Sequence, residues 1–215
     1  MNERDWPGCT DPQPMLQLLR DKASARKLRL FAVACCRRLS EKASFGELTV
    51  AERAADGLAT EDELAVARAE AERGFQLALG QFSYVPAPQY LHANGAALAI
   101  TYSSALAAAE TASAEIAALV GEGERPAQAA LLRDIFGNPF RPAPAKAPGW
   151  LHWNDGAVPK LAKAVYEQRA FHHLPTLADA LEEAGCTDSG LIGHCRQPGE
   201  HVRGCWAVDL VLGNE

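Results

Sequence analysis

Apolar residues recur along most of the chain at intervals of three and four, and strict alternation of apolar and polar residues is scarce. The first spacing places apolar side chains on one face of an α-helix, whereas alternation is typical of a β-strand. The stretch 24–42 has the helical spacing, with Leu28, Phe31, Cys35 and Leu39 on one face. The pattern therefore predicts an all-α protein.

Capping residues, glycines and prolines mark the ends of the predicted helices. Thr60 and Glu63 form a capping box, in which each side chain accepts from the other residue's free amide. The alanine-rich stretch 92–120 is expected to lie close against a neighbouring helix, with a break near 94–95. The predicted helices are 14–22, 24–42, 49–57, 60–79, 92–120, 126–136, 159–170, 176–184, 188–195 and 204–212, with a loop at 82–90.

A proline-rich segment divides the pattern in two. Residues 138–149 contain four prolines, which are incompatible with regular structure. We therefore predict an N-terminal helical bundle (1–137), a linker or strap (138–150) and a smaller C-terminal helical subdomain (151–215). The aromatic residues in and beside the segment, Phe140, Trp150 and Trp153, favour a strap that packs at intervals.

Composition narrows the class of protein. The 215 residues are 48% hydrophobic and 22% charged, which is ordinary for a globular chain with a sizeable core. The net charge of −6 makes nucleic acid and anionic membranes unexpected partners. The chain has no apolar run of membrane-spanning length and begins with a charged segment, so we expect a cytoplasmic location. Its six cysteines should then be reduced.

The most distinctive candidate chemistry lies near the C-terminus. Cys186, Cys195, His201 and Cys205 follow the spacing C-x8-C-x5-H-x3-C, and His194 offers a fifth ligand. The spacing equals that of zinc fingers with three cysteines and one histidine that bind RNA, except that the last two ligand types are exchanged. Zinc prefers four such ligands in a tetrahedron. The segment is therefore a candidate structural zinc site.

The favoured interpretation of this segment involves no metal, and an open metal site is a third interpretation. Cysteines at helix ends are commonly small buried hydrophobic residues, and His201 would then bond to the backbone. Alternatively, water could replace one ligand, which would leave an open metal site that uses His194 or His201 in a hydrolase. Glu200 or Asp188 would be the base near that metal. Because no catalytic motif is present, we expect no enzymatic activity.

Other conspicuous residues suggest surfaces for partners. Arg37 and Arg38 belong to a basic set on the helix 24–42 that can contact phosphates, or can form a solvated face paired with acids. Trp150, Trp153 and Trp206 can anchor another protein where they are exposed.

Four stretches together carry a resemblance to known proteins. They are RKLRLFAVACCRR (26–38), LLRDIFGNPFRP (131–142), LADALEEAGC (177–186) and HVRGCWAVD (201–209). They resemble a large paralogous family of uncharacterised bacterial proteins, in which similar segments also occur inside multidomain chains. The resemblance implies a reusable unit without known activity. We therefore expect a protein–protein interaction or scaffold function, as an accessory subunit of a larger assembly; a zinc-binding module, structural or contacting nucleic acid, is the alternative.

Overall fold

The computed structural model describes residues 1–39, 46–80, 88–121, 123–141 and 148–214. Every regular element within these ranges is a helix, which confirms the all-α prediction. In the same ranges, no helix combines the length and the apolar character that a membrane crossing requires. The chain divides into two compact units, Met1–Arg133 and Asp134–Glu215.

The helices that precede residue 134 form the first unit. Its helices are α1 (Pro12–Leu19), α2 (Ala25–Arg37), α3 (Gly46–Ala55), α4 (Glu61–Gly80), α5 (Pro88–Ala99), α6 (Ala105–Val120) and most of α7 (Glu124–Phe136). Helix α6 packs against α2 and α5. Its alanines Ala108, Ala109 and Ala112 are fully buried, so the backbones approach closely, as predicted.

The predicted break in the stretch 92–120 is misplaced. The structure interrupts it at 100–104, and Ser104 caps α6 by accepting from the amide of Ala107 at 3.3 Å. Gly95 lies inside α5 instead. A Cβ there would come within 3.1 Å of the Glu115 carboxylate, so this glycine lets the Glu115 side chain approach α5. Of the predicted loop 82–90, residues 82–87 lie outside the described residues and 88–90 begin α5.

Arg37 and Arg38 make ion pairs within the first unit. Two nitrogens of Arg37 lie 2.8 and 2.9 Å from the carboxylate of Glu52, and Arg38 Nε lies 2.7 Å from Glu124. Both glutamates are buried, and a buried carboxylate requires such a partner. The two arginines therefore fix α2 to α3 and α7 rather than forming a free basic face.

The second unit begins within α7. Its further helices are α8 (Pro148–His152), α9 (Ala157–Gln168), α10 (Leu174–Glu183), α11 (Ser189–Arg196) and α12 (Trp206–Leu212), with 3-10 turns at Trp153–Gly156 and Phe171–His173. Helix α9 packs against α10 and α12, and α10 packs against α11. The core between them contains Val158, Leu177, Leu181, Leu191 and Val208.

The unit boundary differs from the predicted one. In the sequence, the first unit ends at Arg133 and the second begins at Asp134, whereas the predicted bundle ends at 137. Residues 142–147 of the predicted strap lie outside the described residues, and α8 begins at Pro148. That the proline-rich segment joins two independent parts stays a prediction.

Candidate metal centre

Four side chains of the second unit meet at one buried point. Asp134, His194, His201 and Cys205 each offer one ligand atom, and these atoms all lie within 4.8 Å of one another. The side chains of the aspartate and both histidines are only 3–8% exposed, and Cys205 is fully buried. The cluster can hold a metal ion, because carboxylate, imidazole and thiolate groups are all common metal ligands.

The contacts within the cluster are close. His201 Nδ1 lies 2.5 Å from Asp134 Oδ1. His194 Nε2 lies 3.2 Å from Asp134 Oδ1 and also 3.2 Å from Cys205 Sγ. The second oxygen of Asp134 accepts from the backbone amide of Val202 at 2.9 Å. The carboxylate therefore joins both histidines and the loop that carries His201.

Local structure places each ligand. Asp134 lies in the last turn of α7, and His194 lies in the last turn of α11. Asp188 sets the start of α11, because its carboxylate accepts from the amide of Leu191 at 2.7 Å. Cys205 is the residue that precedes the first turn of α12. Three separate helix ends and the loop before α12 therefore converge on the site.

Burial and charge act in opposite directions on the carboxylate and on one imidazole. Burial alone raises the pKa of Asp134, but the hydrogen bonds and charges of His194 and His201 outweigh it and hold that pKa below its usual range. Burial lowers the pKa of His201, but the hydrogen bond and the charge of Asp134 outweigh it and leave that pKa raised. Asp134 and His201 therefore favour an ion pair in the metal-free protein.

The thiol of the cluster is held protonated by the same environment. Burial, followed by the negative charge of Asp134, raises the pKa of Cys205 well above its ordinary value, while the amides of Val208 and Ala207 act in the opposite direction. A divalent cation at the centre would reverse the effect of the carboxylate, because it would stabilise both negative groups. A bound metal would therefore turn the thiol into a thiolate.

The structure brings together half of the predicted zinc ligands. His201 and Cys205 are in the cluster, and His194, which the sequence offered as a fifth ligand, joins them. Cys186 and Cys195 are not among its members; they are buried in the hydrophobic core of the unit. Burial raises the pKa of Cys186, and burial with the charges of Asp134 and Cys186 raises that of Cys195 to about 12. Both therefore have the character of core thiols.

Asp134 is the member of the cluster that the sequence did not predict. It lies 60 positions before His194 in the sequence, so the short-range spacing of residues around Cys205 gives no indication of it. The sequence contained one indication, since the neighbouring residues Leu131, Leu132 and Ile135 are apolar. In the structure all three are buried. A carboxylate beside the apolar face of a helix needs a buried partner.

The tryptophans proposed for an interaction surface differ in their burial. Trp150 is buried, and Trp153 and Trp206 are half-buried against the core of the second unit. The ring of Trp206 lies 5.0 Å from that of His194, between centroids, so Trp206 borders the candidate metal centre. That these rings anchor a partner protein stays a prediction.

Neither a protein-family model, nor a curated protein, nor a solved structure matches this chain. The cluster itself is therefore the main indication of function.

Proposed function

We propose that the second unit is a zinc-binding module, with Asp134, His194, His201 and Cys205 as the ligands of a structural zinc ion. The convergence of these four groups on one buried point is the observation that carries the proposal. Oxygen-only ligand sets suit magnesium and calcium, whereas imidazole and thiolate favour zinc.

The ligand atoms all lie within 4.8 Å of one another, so zinc binding would require separations wider than those of a tetrahedron to shorten. Bonds of about 2.0–2.3 Å place tetrahedral ligand atoms about 3.3–3.8 Å apart. His194 Nε2 already lies 3.2 Å from its two neighbours in the cluster. The close contact between Asp134 and His201 would open by about 1 Å as zinc replaces the shared proton.

Charge and burial favour a closed site. With Asp134 ionised, Cys205 as thiolate and both histidines neutral, the ligands carry a charge that balances a divalent ion. All four side chains have low exposure, so the site has little contact with bulk water. Four protein ligands without water are typical of structural zinc, so the hydrolase alternative receives no support from this geometry.

The alternative without metal is a hydrogen-bonded core cluster. Across the described residues, no buried side-chain nitrogen or oxygen lacks a partner, so hydrogen bonds alone can account for the burial of the cluster. The donor set distinguishes the two proposals, because a thiol contributes little as a hydrogen-bonding group but strongly as a zinc ligand.

Elemental analysis of the purified protein tests the proposal. We expect about one zinc per chain in the wild type and a loss of most of it in Cys205→Ser. The control is Cys9→Ser, since Cys9 is a half-buried cysteine of the first unit. Wild-type protein that remains metal-free after dialysis against zinc would refute the zinc module and leave the hydrogen-bonded core cluster. The predicted interaction or scaffold function would then be the remaining proposal.

A further inference from the structure

Gln197 contacts both histidines of the cluster from outside it. Its side-chain amide nitrogen lies 3.0 Å from His194 Nδ1. Its backbone carbonyl lies 3.4 Å from His201 Nε2. In each ring the contacted nitrogen is the one that does not face Asp134, because Asp134 meets His194 through Nε2 and His201 through Nδ1.

We propose that Gln197 is the positioning residue of the metal centre and holds its two histidines in opposite tautomers. His201 then binds metal through Nδ1 and His194 binds metal through Nε2. This inference rests on the zinc module proposed above.

The backbone of Gln197 fixes the tautomer of His201. A carbonyl oxygen only accepts hydrogen bonds, so His201 Nε2 must carry a hydrogen to use the contact. Nδ1 then offers its lone pair to the metal. Metal-binding histidines usually donate their second nitrogen to a carbonyl or carboxylate in this way, which also orients the ring.

The side chain of Gln197 can supply the acceptor that the metal-binding tautomer of His194 needs. A neutral imidazole that binds metal through Nε2 carries its hydrogen on Nδ1 and needs an acceptor there. An amide can present either its NH2 group or its oxygen, and a half-turn of the Gln197 amide would bring the oxygen to Nδ1. The NH2 group suits the metal-free ring, whose Nε2 hydrogen can point at Asp134, and the oxygen suits the metal-bound ring.

Local structure supports the position of this residue. The backbone N–H of Gln197 donates to the backbone carbonyl of Gly193 at 2.9 Å, and this hydrogen bond connects Gln197 to the last turn of α11. The same turn carries His194, so the side chain and the ring that it contacts move together. Substitution of the Gln197 side chain should leave the backbone contact to His201 in place.

Three substitutions separate hydrogen bonding from shape. Gln197→Met keeps the length of the side chain and removes the acceptor, so zinc affinity should fall about ten-fold. Gln197→Glu supplies an obligate acceptor, so affinity should equal or exceed that of the wild type. Gln168→Met, at an exposed position at the end of α9, is the matched control and should leave affinity unchanged.

The experiment is a zinc competition titration against a chelating dye, together with 15N spectra of the imidazoles in the zinc-loaded wild type. The expected spectrum has hydrogen on Nδ1 of His194 and on Nε2 of His201. Equal affinity of the Met and Glu variants, or the same tautomer in both rings, would overturn the role of Gln197 while the zinc module stands. A wild type that binds no zinc would refute the zinc module, and this inference with it.

Discussion

The carboxylate of Asp134 and the imidazole of His201 lie 2.5 Å apart between Oδ1 and Nδ1, although 67 positions separate them in the chain. The contact connects the last turn of α7 to the loop before α12, and both atoms are shielded from solvent. Two groups that are costly to bury alone become compatible with the core because each satisfies the other. The same two atoms are candidate metal ligands, so this contact must open when zinc binds.

Asp134→Asn should affect both states of the protein. The amide keeps the shape of the side chain but lacks the negative charge, so we expect a loss of zinc affinity of at least ten-fold. The metal-free protein should also lose about 1–3 kcal/mol of unfolding free energy, because a charged hydrogen bond to His201 becomes a neutral one. Zinc titration and urea unfolding in chelator measure the two effects.

The control for Asp134→Asn is Asp179→Asn in the same unit. Asp179 has a side chain that is 64% exposed and pairs with Arg196 at the surface, where ion pairs contribute little. Its variant should match the wild type in zinc binding and stay within about 0.5 kcal/mol of it in stability. If the Asp134 and Asp179 variants behave alike, the carboxylate of Asp134 is not a ligand.

The three cysteines of the second unit should separate into one ligand and two core thiols. Cys205→Ala should remove zinc, because it deletes the sulfur of the cluster. Cys186→Ala and Cys195→Ala should keep the full zinc content and lose about 1 kcal/mol of stability from the small cavities that they create. Zinc content of the three variants, measured side by side, is the test. Loss of zinc in the Cys186 and Cys195 variants would restore the ligand set expected from sequence spacing.

The helices could be predicted from the sequence because their determinants are local. The capping box of Thr60 and Glu63 is present, with the Thr60 amide 2.8 Å from Glu63 and the Glu63 amide 3.1 Å from Thr60. Helix α2 begins after Ser24, as the cap predicts. Ser104 is also a good cap, but the continuous alanine-rich pattern concealed the interruption that it marks.

The candidate site could be predicted only in part, because it is assembled by packing. His201 and Cys205 are close in sequence and were found by spacing. Spacing also selected Cys186 and Cys195, since it cannot tell whether a cysteine faces its neighbours or the core. Asp134 lies far before the segment in the sequence, and only the folded structure brings its carboxylate to His194, His201 and Cys205.

Gly137 should be essential for the packing of Trp206 beside the metal centre. Its φ of +61° favours glycine, and a Cβ there would lie 3.2 Å from Trp206 Cγ. Gly137→Ala should therefore cost about 1–3 kcal/mol and shift the fluorescence of Trp206, with both changes measured by thermal unfolding and emission spectra. Gly193→Ala is the control: its Cβ meets no atom within 4 Å, and its helical position should make alanine neutral or stabilising. An equal loss in both variants would contradict the proposed close approach.

Zinc should reverse the pH dependence of stability. In metal-free protein the pKa of Asp134 is lowered, so its contribution is present above the unfolded value near 4 and is lost as pH falls through the folded pKa. The pKa of His201 is raised, so its contribution is present below the unfolded value near 6.5 and is lost as pH rises through the folded pKa. With respect to these two groups, the metal-free protein should be most stable between about pH 4 and 6.5.

In the zinc-loaded protein, the free energy of unfolding should instead rise with pH between about 6 and 8. Zinc competes with the protons of His201 and Cys205, and the raised pKa of Cys205 makes that competition strong at low pH. The stabilisation by zinc should therefore grow as pH rises from about 6 to 8, where the metal-free protein becomes less stable. Urea unfolding across this range, in chelator and in excess zinc, measures both slopes. Parallel slopes in the two conditions would mean that zinc, if it binds, does not bind at His201 and Cys205.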